Sequence, residues 1–170
     1  ALLSYYIFSQ RAALGNLPER PVLVKSIVTG DLSRAIASYY GIETVETLTG
    51  FKNICGKANE YEVTKAKTYL FGYEESIGFC YGTFVRDKDA VSASMMIVEM
   101  AAYYKERGQT LLDVLETIYT TFGYYNERQI ALELEGVEGQ ECIARIMDDF
   151  RQSPLEAVAE MALKKTIDFI

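Results

Sequence analysis

Apolar positions along residues 1–123 follow two periods that alternate with each other. Residues 1–14 set Leu2, Leu3, Tyr6, Ile7, Ala13 and Leu14 at helical spacing, and Gly15 is placed to end that helix. The run Val22-Leu23-Val24-Lys25-Ser26-Ile27-Val28 is short and β-branched, as a strand inside a covered sheet is, with Lys25 its one charge. A tight turn at Thr29-Gly30-Asp31 then leads into a helix marked by Leu32, Ala35, Ile36 and Tyr39 and stopped by Gly41. The unit repeats. A strand over 42–48, a Thr49-Gly50 turn, a helix over 51–61 burying Phe51, Ile54, Cys55 and Ala58, and a third strand over 68–72 follow in order. Residues 79–85 read as a further strand or edge, interrupted by Gly82.

Strands alternating with helices imply an α/β fold: a three-layer α/β/α domain with a mostly parallel, mixed sheet of about four strands. With the first three strands parallel, the loops at 29–31, 49–52 and 73–78 converge at one sheet edge, where ligands of such sheets bind. Asp89 is a good N-cap for a helix over 90–107, with Val91, Met95, Val98 and Ala102 as its inner stripe and the methionines as core filler. Thr110 and Asp113 look like a capping pair for a helix over 111–122 closed by Gly123. Beyond it, Ile130, Leu132 and Leu134 alternate as in a half-exposed strand, and a helix is expected over 139–150. The organisation expected is one domain over 1–123 and a linker with a truncated start of another over 124–170.

Composition narrows the chemistry. No apolar run among the 170 residues is long enough to span a bilayer, and a net charge of −7 argues against a nucleic-acid partner, which needs lysine and arginine against phosphates. No membrane partner is implied. Three scattered cysteines without a Cys-x-x-Cys pair read as thiols of an intracellular protein, expected in the cytoplasm. The absence of histidine removes the Ser-His-Asp, Cys-His and histidine-metal schemes together. The apolar first residues lack a basic flank and read as a chain cut within a helix.

The third strand runs out into Phe71-Gly72-Tyr73-Glu74-Glu75-Ser76-Ile77-Gly78-Phe79. Two carboxylates and a hydroxyl between glycines suit a ligand with adjacent hydroxyls, such as a sugar. The bland alternative is a solvated turn in which Ser76 bonds its own backbone. No Gly-x-Gly-x-x-Gly or Gly-x-x-x-x-Gly-Lys-Ser/Thr loop supports nucleotide binding.

This loop, with Leu48-Thr49-Gly50-Phe51-Lys52 upstream and Arg86-Asp87-Lys88-Asp89-Ala90 downstream, resembles the sugar-recognition region of the α-D-phosphohexomutase superfamily, the phosphoglucomutases and phosphomannomutases. The resemblance is to the third of the family's four domains plus the start of the fourth. It implies a parent enzyme that interconverts hexose 1-phosphate and 6-phosphate through a phosphoserine and a bisphosphorylated sugar. That parent would be an intramolecular phosphotransferase using Mg2+ and hexose 1,6-bisphosphate. By the same resemblance, Thr49, Gly50, Glu74, Ser76 and Lys88 would bind substrate, with Glu75 in a variable position and Lys25 as a possible auxiliary near the reaction centre. The phosphoserine and magnesium loops of the family are missing from this stretch, so alone it is expected to be inactive and to need no cofactor. Its partners would be the hexose phosphate and the remaining domains of the parent. Asp87-Lys88-Asp89 is a poor site for a hard divalent cation. Glucose, mannose and pentose phosphates stand as alternative substrates, and a free-standing, non-catalytic sugar-phosphate-binding or assembly module is the rival reading.

Overall fold

The computed structural model describes residues 1–128, 130–158 and 160–169, and the chain divides into two compact units, 1–127 and 128–170. Residues 124–127, expected in the linker, belong to the first unit.

The first unit is a four-stranded mixed sheet with helices on both faces. Its elements are α1 (Leu2–Ala13), β1 (Pro21–Ser26), α2 (Leu32–Tyr39), β2 (Glu43–Thr47), α3 (Phe51–Thr64), β3 (Thr68–Glu74), β4 (Gly78–Tyr81), α4 (Ala90–Glu106) and α5 (Leu111–Phe122). The strand order is β2-β1-β3-β4: β1 runs parallel to β2 and β3, and β4 returns antiparallel along β3. Alternation along β1 assigns its side chains to two cores. Leu23 faces a layer built from Tyr6, Ile7 and Phe8 of α1, Ile36 of α2, Met96, Met100 and Tyr104 of α4, and Val114 and Ile118 of α5. Val22 and Val24 face the other way, onto Phe51, Ile54, Cys55, Ala58 and Tyr61 of α3. Strand β1 therefore reads as an unbroken apolar run because both of its faces are covered.

Helix ends follow local chemistry. Asp89 caps α4 by accepting from the Val91 and Ser92 amides at 3.0 and 3.3 Å, and Thr110 with Asp113 forms a full capping box on α5.

Two expectations fail. The stripe Val91, Met95, Val98 and Ala102 points out of the fold, while Ser92, Ala93, Met96, Met100 and Tyr104 face the core. This helix is apolar nearly all round, so spacing alone does not say which side is inward. Residues 130–134 form no strand: Ile130, Leu132 and Leu134 are exposed, and an alternating run without a partner to share its ladder stays irregular. In the second unit, α6 (Gly136–Gln152) precedes a short hairpin of β5 (Ala157–Val158) and β6 (Met161–Ala162).

Candidate functional site

Parallel pairing brings the carboxyl ends of β1, β2 and β3 to one edge, and side-chain hydrogen bonds tie their loops together. Glu74 closes β3 and is 6% exposed. Its Oε1 accepts the Gly50 amide at 2.6 Å, so the carboxylate sits at the N-terminal end of α3, where the helix dipole favours negative charge. Gly50 adopts φ 107° and ψ 129°, a conformation open to glycine and costly for side-chain-bearing residues. Thr49 is exposed beside it, and its carbonyl accepts from Asn53 Nδ2 at 2.9 Å.

The β3–β4 hairpin leaves Glu75, Ser76 and Ile77 as its loop between the paired Glu74 and Gly78. Ile77 takes φ 59° and is 83% exposed, a left-handed conformation that a β-branched residue adopts only under strain. Ser76 is exposed at the tip. Gly78 is required by packing, since a Cβ there would overlap the Phe51 ring. The Lys88 ammonium lies 4.9 Å from the centre of the same ring and 3.8 Å from Asp87 Oδ1, with half of its side chain exposed.

Glu75 joins the third loop to the others. The Thr29 hydroxyl donates to Glu75 Oε2 at 2.7 Å, and the buried Ser26 hydroxyl lies 2.7 Å from Thr29 Oγ1. Glu127 completes this corner by accepting the Asp31 amide at 2.6 Å, at the start of α2. Neither role was readable from sequence, because each depends on a partner distant along the chain. The signal for Glu75 was its place between two assigned residues.

Lys25 stands beneath this edge with its side chain 1% exposed. Its ammonium lies 3.0 Å from Asp31 Oδ1 and 3.0 Å from Glu46 Oε1, and it donates to the Thr29 carbonyl. Three partners engage the three donors of an ammonium. Arg34 bridges the same two carboxylates, 2.9 Å from Asp31 and 2.6 Å from Glu46. Burial acts to raise both carboxyl pKa values, and the cations outweigh it, holding both groups below the ordinary carboxylate range. Lys25 thus fixes the ends of β1 and β2 and the turn between β1 and α2.

The sequence-derived residues are therefore brought together unevenly. Gly50 and Glu74 touch, Thr49 flanks them, Lys88 joins through Phe51, and Ser76 shares the hairpin loop with no side-chain bond among the described residues. Arg86, which precedes Asp87 and Lys88 in the same motif, pairs with Glu62.

The implied magnesium ion does not fit these residues. Asp89 is occupied as a helix cap, Asp87 accepts the Lys88 amide at 2.7 Å, and no cluster of three or more candidate ligands occurs among the described residues. Cys55 and Cys80 are free and buried, and burial foremost pushes the Cys55 thiol up to about 12, as suits core thiols. Among the described residues, no helix is long and apolar enough to cross a membrane.

Comparison with known proteins bears on the family and the fold. Phosphoglucomutases of Staphylococcus aureus strain USA300 and Staphylococcus haemolyticus strain JCSC1435 are 35% and 34% identical over 170 and 154 residues, which is 100% and 91% of this chain. The chain spans only 30% and 28% of the lengths of those relatives. The open form of Paramecium parafusin, a phosphoglucomutase, shares the fold at a TM-score of 0.61 and 18% identity, over 88% of this chain and 26% of that one. The family model described as phosphoglucomutase/phosphomannomutase, alpha/beta/alpha domain III, matches residues 1–122, and the chain belongs to that family.

Proposed function

We propose that this chain is the sugar-recognition domain of a phosphohexomutase that interconverts hexose 1-phosphate and 6-phosphate through an enzyme phosphoserine and a bisphosphorylated sugar. The observation that carries the reading is the bond between the Gly50 amide and Glu74, which holds two of the three family-like loops at one sheet edge beside Lys88.

The chemistry follows from those groups. With Oε1 held by Gly50, the Glu74 carboxylate is oriented and has its second oxygen to accept from a sugar hydroxyl. Ser76 can donate or accept at the hairpin tip, so the pair can serve a sugar presented in either of two orientations. Lys88 supplies a cation to a phosphate group, and phosphoryl transfer depends on such positioning and charge neutralisation. The phosphoserine donor and the Mg2+ that would assist it are assigned to other parts of the parent. The chain alone is therefore inactive on this reading, with hexose phosphate and the remaining domains as its partners.

The test is Glu74→Gln in the full-length gene product, assayed for conversion of glucose 1-phosphate to glucose 6-phosphate. Loss of a charged hydrogen bond to substrate lowers kcat/KM by roughly 10- to 100-fold. Normal turnover by the Glu74→Gln variant, or a parent enzyme that never converts hexose phosphates, overturns the reading. Titration of this chain with glucose 1,6-bisphosphate should move the amide resonances of Gly50, Glu74, Ser76 and Lys88. Shifts confined to another surface would favour the free-standing binding module.

A further inference from the structure

The β3–β4 hairpin has two pinned stems and a three-residue tip between them. Glu74, at one stem, is held by the Gly50 amide, and Gly78, at the other, lies so close to the Phe51 ring that a Cβ there would overlap it. Between them Ile77 takes φ 59° at 83% exposure, a conformation costly for a β-branched residue. Of the tip residues, only Glu75 is tied to another loop by a side-chain bond among the described residues, and it is tied twice. The Thr29 hydroxyl donates to Glu75 Oε2 at 2.7 Å and accepts the Glu75 amide at 3.3 Å. A threonine hydroxyl has one proton and two lone pairs. With the proton on the Glu75 carboxylate and one lone pair on the Glu75 amide, the Ser26 hydroxyl at 2.7 Å donates to the other, and Thr29 is saturated. Thr29 and Ser26 are 4% and 0% exposed, so water competes little for this anchor, whereas Glu75 is exposed and would be solvated without it.

We propose that Glu75 is a positioning residue for sugar recognition: clasped to Thr29, it fixes the course of the hairpin tip and so presents Ser76 to a sugar hydroxyl. The inference rests on reading the chain as the sugar-recognition domain of a phosphohexomutase, and it gives a role to a residue that reading leaves without one. The clasp grips Glu75 at both its amide and its carboxylate, so the peptide leading into Ser76 starts from a fixed point. Hydrogen bonds to an ionised acceptor are the stronger kind, and this one opposes the tendency of Ile77 to leave its left-handed conformation. Without the clasp the tip relaxes by turning Ile77, and Ser76 swings away while Glu74, pinned by Gly50, stays in place. The anchor is itself braced from below, because the buried Lys25 ammonium donates to the Thr29 carbonyl. Sugar binding therefore depends on a side chain that need not touch the sugar.

The experiment compares Glu75→Ala, Glu75→Gln and Thr29→Val in the full-length gene product, reading KM and kcat for glucose 1-phosphate and, by mass spectrometry, amide hydrogen exchange of the 73–79 segment. Glu75 is exposed, so Glu75→Ala does not threaten the fold. The clasp predicts for Glu75→Ala and Thr29→Val a KM raised about tenfold with a smaller change in kcat, and exchange about tenfold faster. Glutamine keeps an oxygen that accepts from Thr29, so Glu75→Gln should stay within about threefold of wild type. Added to Ser76→Ala, Glu75→Ala should change KM by less than about twofold, because Glu75 acts through Ser76. Unchanged exchange or unchanged KM in Glu75→Ala overturns the proposal. A Thr29→Val enzyme with normal KM, or a full tenfold loss in Glu75→Gln, also overturns it and makes Glu75 a direct substrate contact. Independent effects of Glu75→Ala and Ser76→Ala overturn it too. Glu74→Gln reports separately on the functional reading: normal turnover by that variant sinks sugar recognition at this edge even where exchange shows the clasp, and unchanged exchange in Glu75→Ala sinks the clasp even where Glu74 proves essential.

Discussion

Replacing Lys25 by methionine tests whether that lysine is a structural cation. Methionine keeps an unbranched side chain of similar reach, so packing changes little, but the Thr29 carbonyl loses its ammonium donor and Asp31 and Glu46 each lose one of two cations. Removing one partner of a buried ion pair costs about 3–5 kcal/mol. Here the lower end applies, because Asp31 is half exposed and can be resolvated and Arg34 continues to bridge both acids. A loss of about 3 kcal/mol with a urea slope near 2 kcal/mol/M lowers the unfolding midpoint by about 1.5 M. Circular dichroism during a urea titration reads this directly. The pH dependence supplies the sign. Asp31 and Glu46 have folded pKa values depressed below their unfolded ones, so their stabilisation is present above the unfolded carboxylate range and is lost as pH falls through the folded values. As pH falls through those folded values the acids become protonated, and the gap between wild type and Lys25→Met should narrow. A variant within about 0.5 kcal/mol of wild type at pH 7, or a gap that does not change on acidification, would refute the structural role.

Ile77→Gly should stabilise the first unit by up to about 1 kcal/mol: it relieves a left-handed β-branched residue, partly offset by the greater chain entropy of glycine, and a higher thermal midpoint checks it. Gly78→Ala should cost about 1–3 kcal/mol by forcing the Phe51 ring aside, and it should disturb the Lys88 resonances, because Lys88 rests over that ring. Thr110→Ala removes the hydroxyl of the α5 capping box and should cost about 1 kcal/mol in urea unfolding, with sugar-phosphate binding unchanged.

The alternation of strand and helix was legible because each β-branched run is short and ends in a turn, and because β1 is covered on both faces. The convergence of the loops was legible from topology alone: parallel strands with right-handed crossovers leave few other arrangements. Polar partnerships were not. Lys25 read as a lone charge in an apolar strand, since its counter-ions lie on the next turn and on the neighbouring strand, and no local spacing announces them. Glu75 read as filler for the same reason, its partner Thr29 being on a different loop.

The errors at α4 and at residues 130–134 share a cause. Hydrophobic periodicity states that a face will be covered, but says nothing about which molecule or domain covers it. Strand β1 finds its cover within the unit on both sides, so its pattern and its burial agree. Helix α4 has two faces fit for burial, and the unit uses the one carrying Met96, Met100 and Tyr104, which meets α1 and α5 at the sheet. The stripe through Val91, Met95 and Val98 is as regular as the buried one, so taking it for the inner face was an error of phase. A helix apolar on both sides is the composition of an element sandwiched between two layers. Its sequence alone therefore does not rank the two faces, and the phase follows from the core that Met96, Met100 and Tyr104 reach.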